Sequence, residues 1–133
     1  MDNDFNKYIC EFMNLEPSDA ERLFQNYCIF LVLHHYANEQ LVPSKIIETF
    51  WTEHIAFTKD YRDFSTRIFG DLVLPRVFDF SDQGVEVLAK AYEKTTEIYE
   101  IATGRKTEAP MWEKQRGTKR DFKHAFTNLM RMS

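Results

Sequence analysis

Two cysteines, four glycines and four prolines are all that this 133-residue chain holds of the residues that staple, loosen or stiffen a backbone. Cys10 and Cys28 form no C-x-x-C pair and no disulfide framework, which points to a reducing compartment. So little glycine and proline argues against low complexity and against a turn-rich β architecture. Long apolar runs are missing too. The longest, Cys28 to Leu33, is far too short to span a bilayer. The opening Met-Asp-Asn-Asp has neither the basic nor the apolar stretch of a signal peptide, so a cytoplasmic protein without membrane contact is expected. Gly70, Gly84, Gly104 and Gly117 stand alone, so there is no glycine-rich phosphate loop. No H-E-x-x-H occurs, and the adjacent His34 and His35 point about 100° apart on a helix. No metal site, cofactor or catalytic set is assigned.

What the chain does have is aromatic bulk: twelve Phe, six Tyr and two Trp. At this length one domain can bury roughly two-thirds of its unfolded surface, and large rings supply much of that area. The net charge of −4 is uneven. From Glu113 onward six Lys and Arg face two acids, a local +4, which leaves −8 on the first 112 residues. The simplest reading of that asymmetry is a solvated basic helix face beside an acidic body.

Periodicity predicts helices nearly throughout. One fits Asp4 to Asn14, with Phe5, Tyr8, Ile9 and Phe12 on one side, before Glu16-Pro17-Ser18 interrupts it. Ser18 and Glu21 have capping-box spacing for a second helix to about Asn38, whose apolar second half suits a central position. Pro43 keeps Val42 extended, and Ser44 is placed to cap a third helix to about Phe69, with Gly70 just past its end. A bend near Phe57, with a new helix from Thr58, is the alternative. Asp71 to Phe80 reads as an ordered loop. Ser81 or Asp82 would cap a helix carrying Val85, Leu88, Tyr92, Thr95, Tyr99 and Ala102, ended by Gly104. Trp112 anchors a loop. Thr118 would start a last helix to about Met132, with Phe122, Phe126, Leu129 and Met130 on its narrow apolar face. The expected fold is all-α: a single domain, an irregular bundle of five to six helices. The region from Ile46 to Ile68 should pack on the Leu23–Leu33 helix, since these carry the densest apolar faces.

One stripe carries chemistry. Ile47, Trp51, His54, Thr58, Tyr61, Ser65 and Ile68 are spaced four and three apart. A polar seam among Phe50, Phe57 and Phe64 must find hydrogen-bond partners or line a cavity. Trp51, His54, Thr58 and Tyr61, with His34, are therefore the candidate ligand-binding residues. The blander expectation is a core histidine bonded to Thr58, Tyr61 or a backbone carbonyl. Lys119, Arg120, Phe122, Lys123 and Phe126 are the candidate partner-binding residues of the last helix. The same basic and aromatic mixture raises nucleic-acid binding as a lesser alternative.

Two segments resemble a known family. Leu41-Val-Pro-Ser44, Ile47, Trp51, His54-Ile55, Thr58, Tyr61 and Phe69-Gly70, then Tyr92-Glu-Lys-Thr95, Tyr99, Gly104, Pro110 and Trp112, look like the pattern of the small bacterial proteins named "glycine-rich domain-containing protein-like". The matches cover roughly half the chain in the right order. Thr52 replaces the first histidine of the family's W-H-x-H, and Leu72-Val-Leu-Pro75 replaces its later His-His-x-Pro turn. The resemblance implies a helical fold in a divergent bacterial member, and a metal held by the family's histidines would find only His54 here. The functional expectation is a non-enzymatic helical domain acting through a protein partner or self-association. The alternative is a small-ligand-binding or enzymatic domain using the His54, Thr58 and Tyr61 seam.

Overall fold

The computed structural model describes residues 3–71 and 84–116. Within them the chain is all-helical: α1 (Asn3–Met13), α2 (Pro17–Tyr36), α3 (Lys45–Ala56), α4 (Thr58–Phe69) and α5 (Gly84–Thr103). There is no strand among the described residues. The expected loop from Leu72 onward, the Ser81 or Asp82 cap, and the 118–132 helix with Lys119, Arg120, Phe122, Lys123 and Phe126 lie outside them.

Local rules account for the helix ends. α1 stops at Asn14, whose φ of 54° is left-handed. There Asn14 N–H donates to Glu11 O and Leu15 N–H donates to Cys10 O, the paired bonds of a Schellman stop. The break thus comes before Glu16-Pro17. α2 has Pro17 in its first turn and no side-chain cap. Ser18 lies inside the helix, so the capping-box reading is corrected: a proline that needs no N–H partner opens this helix. Ser44 does cap α3, accepting from Ile47 N–H at 3.3 Å. Gly70 closes α4 with a φ of 76°, its N–H donating to Thr66 O. That left-handed conformation carries no Cβ penalty for glycine.

The long third helix is two helices. The chain turns at Phe57, with φ −85° and ψ 72°. Phe57 N–H donates to Glu53 O and His54 O, and Tyr61 N–H picks up Phe57 O. The Phe57 ring is held against Phe5 at 5.0 Å and Tyr8 at 4.9 Å, so α1 grips the corner.

α1, α2 and α3 pack together, with α4 folded back along α3. As the sequence led us to expect, α3 lies against α2, through Tyr27 on Phe50 at 4.7 Å and Phe30 on Trp51 at 5.9 Å. α5 joins by polar ties as well as by the buried Leu88, Tyr92 and Tyr99. Val42 N–H donates to Thr95 Oγ1 at 2.8 Å, while Tyr99 Oη and Trp112 Nε1 both donate to Asn26 Oδ1. No helix among the described residues is long and apolar enough to cross a membrane.

Candidate functional site

The turn at Phe57 builds the polar centre. His54 and Asp60 are six residues apart, which on one straight helix would set them about 120° apart around the axis and about 9 Å along it. With the helix broken, Asp60 swings back and accepts from His54 Nε2–H at 2.8 Å. On the other side, Tyr27 Oη of α2 lies 2.7 Å from His54 Nδ1. Burial, then repulsion from Tyr61, pushes the Tyr27 phenol well above its ordinary value, so it remains a proton donor. A carboxylate can only accept here and a phenol donates, which assigns the Nε2–H tautomer of a neutral imidazole.

The imidazole is completely buried and walled by rings. Phe5 stacks on it at 4.6 Å, and Phe64 and Tyr61 lie at 5.0 and 5.1 Å. Burial lowers its pKa below the ordinary 6.5, against the opposing pull of the Asp60 bond. His54 is thus a satisfied core histidine, but its partners are Tyr27 and Asp60, not Thr58, Tyr61 or a carbonyl. Thr58 is exposed. The new helix starts on it, which rotates it off the buried face, so the single continuous stripe expected from spacing is corrected. Ile68, the stripe's last member, is 46% exposed in the last turn of α4, although Tyr61 and Ser65 of the same stripe are buried.

The other seam residues sort themselves differently. Trp51 Nε1–H donates to Tyr61 Oη at 3.0 Å. His34 is buried beside Trp51, ring edge to face at 5.1 Å, and so belongs to the Trp51 end of the seam. His35 is exposed and meets Phe69 at 4.8 Å. Glu53 turns to Tyr8, whose hydroxyl donates to it at 3.0 Å, and Glu48 turns to Arg116. Among the described residues no three His, Cys, Asp or Glu side chains converge as a metal site would require. Cys28 is half-buried, and desolvation pushes its thiol up to about 11, which leaves it unreactive at neutral pH.

The sequence reading missed a second polar centre. Arg116, counted there with the basic tail, is 3% exposed. Its Nη1 donates to Pro43 O at 2.6 Å, Nη2 sits 3.0 Å from Glu48 Oε2 as an ion pair, and Nε faces Glu113 at 3.6 Å. Glu113 in turn accepts Lys45 N–H at 2.9 Å, placing a carboxylate on the first amide of α3. This is a cap supplied 68 residues away in sequence. Nothing in the local pattern around Arg116 marked it apart from Lys114. Beside it a cleft of about 520 Å³ runs between the Tyr92–Thr96 face of α5 and Lys114–Arg116.

One substitution tests the Tyr27 assignment. Tyr27→Phe keeps the ring and leaves His54 Nδ1 a buried acceptor with no donor. It should cost about 1–3 kcal/mol. Urea unfolding that matches the parent protein would show that this bond contributes nothing.

No family model, curated protein or solved structure matches this chain.

Proposed function

We propose that this protein works by binding a protein partner and not by catalysis. The observation that carries the reading is a set of exposed apolar side chains on α2 and α4, whose C-terminal ends touch through His35 and Phe69. Tyr36 is 71% exposed, Ile68 46% and Val32 40%. His35 joins them, touching Tyr36 at 4.7 Å and Phe69 at 4.8 Å. Single exposed apolar residues are ordinary, but neighbouring ones on two helices mark an interaction surface. Aromatic and large aliphatic anchors are the side chains that carry binding energy in such surfaces. The residues offered by sequence for chemistry support the same view: His54, Tyr61 and Trp51 spend their polar atoms on one another and on Tyr27 and Asp60.

Bacterial origin, a cytoplasmic setting and kinship with the "glycine-rich domain-containing protein-like" family belong to the same proposal. They rest on the motif residues Trp51, His54, Tyr61, Tyr92 and Trp112 and on the few cysteines. The test is the pair Tyr36→Glu with Ile68→Asp. Both sites are exposed, so each change should stay within about 0.5 kcal/mol of the parent in stability. Self-association by sedimentation, and co-purification of a defined partner from the source cells, should be lost together with the patch. Binding that survives in the stable double variant would refute this surface.

A further inference from the structure

We propose that α1 is an acid-released strap: a proton taken up by the imidazole of His54 loosens residues 3–13 from the groove of α2 and α3, while α2, α3 and α4 stay packed. The geometry supplies both the trigger and the part that moves. Phe5 of α1 lies flat on the imidazole at 4.6 Å and also packs on Phe50 and Phe57. α1 covers one face of this ring through Phe5, and its departure breaks no backbone bond within α2, α3 or α4. Its hold includes the buried Phe5 and Ile9, the Phe57 corner and the Tyr8–Glu53 bond. Eleven residues make a helix too short to persist alone in water, so release of α1 means its unfolding.

The imidazole is arranged to resist a second proton. Nε2 already donates to Asp60, and Nδ1 is met by the Tyr27 hydroxyl. A proton at Nδ1 would set two donors head to head until the Tyr27 hydroxyl turns away. Among the described residues the titratable groups around it are few. α2 brings Tyr27 and the neighbouring Cys28 thiol. α3 brings Glu53, turned toward Tyr8. α4 brings Asp60 and Tyr61, while its Lys59, Arg62 and Asp63 are exposed. α1 brings Phe5 and Tyr8, with Asp4, Lys7 and Glu11 on its exposed side. An imidazolium in this box therefore has Asp60 as its bonded counter-ion, the chain's N-terminal ammonium as a repelling charge, and aromatic rings against its faces. Lifting Phe5 admits water to it.

The sign follows from the depressed folded value. Above 6.5 the imidazole is neutral folded or unfolded, and its contribution to holding α1 is complete. As pH falls from 6.5 through the lower folded value, the released form takes the proton first and the contribution is lost.

Hydrogen exchange measured helix by helix at about pH 7.5 and about pH 5.5, corrected for intrinsic rates, tests this. The expected result is a several-fold fall in α1 protection relative to α3, with a ceiling of about tenfold because pH 5.5 lies about one unit below the ordinary imidazole value. His54→Gln keeps a donor for Asp60 and an acceptor for Tyr27 but cannot titrate in this range, and its α1 protection should be level across the two pH values. Unchanged α1 protection in the parent protein, an equal fall in His54→Gln, or simultaneous loss from every helix would each overturn the proposal. Should His54→Gln not fold, the His54 ring titration by NMR decides instead. Its midpoint coincides with α1 release if the strap is real, and differs from it if not.

Discussion

Trp51→Ala is expected to remove about 3–5 kcal/mol, a large share of the roughly 5–15 kcal/mol that holds an ordinary domain folded. Three losses combine. The indole is 3% exposed, so a large apolar area leaves the core and a cavity opens between α2 and α3. Its edge contacts with Phe30 and His34 vanish. Its N–H no longer donates to Tyr61, the bond that ties α3 to α4 across the Phe57 turn. Trp51→Phe separates the terms, because it keeps a ring and deletes the donor; it should cost far less, the bond alone being worth about 1 kcal/mol. Chemical denaturation of both variants is the measurement. A Trp51→Ala protein within 1 kcal/mol of the parent would mean that this face collapses without loss, against close packing of the core.

Arg116→Ala should be the second severe change, at about 3 kcal/mol. The guanidinium is 1% exposed in its side chain, while Glu48 and Glu113 are 18% and 25% exposed. Removing the cation leaves two carboxylates facing each other across a partly dry gap and a carbonyl at Pro43 without its donor. Breaking a buried pair from one side is costly for this reason, although the intact pair adds little over a well-packed apolar substitute. Partial exposure of the acids keeps the figure at the lower end of that range. A double-mutant cycle with Glu48→Gln should show coupling of about 1 kcal/mol or more. Lys114→Ala, two residues away and exposed, should change stability by less than about 0.5 kcal/mol. Equal effects from Lys114 and Arg116 would restore the reading of both as a solvated basic face.

The two variants also separate what kind of information a sequence carries. Helix content was legible because it is local. Apolar spacing along Leu23 to Tyr27, Ile47 to Trp51 and Leu88 to Tyr99 repeats within a few residues, and Ser44 and Gly70 act within one turn of where they stand. The burial of Trp51, His54 and Tyr61 followed from the same spacing. The capping-box reading of Ser18 failed at the same local level, because a competing local signal, Pro17 at the first helical position, prevailed.

The partners of the polar atoms were a different matter. His54 alone showed that something must satisfy a buried imidazole, but not that Tyr27 and Asp60 would. A straight helix forbids the Asp60 bond and would put Trp51 and Tyr61 about 15 Å apart along its axis. Only the corner at Phe57 makes both pairs, and the grip that holds it comes from Phe5 and Tyr8, about fifty residues earlier. Arg116 is the same case at longer range, buried by Pro43, Glu48 and Glu113 where a neighbouring lysine remains in water. From the residues alone one reads that these segments coil and which face of most of them avoids water, Thr58 and Ile68 excepted, since those preferences act between residues a turn apart. The tertiary structure alone decided which donor meets which acceptor, because hydrogen bonds and ion pairs require ångström placement that arises only when helices from distant parts of the chain have packed.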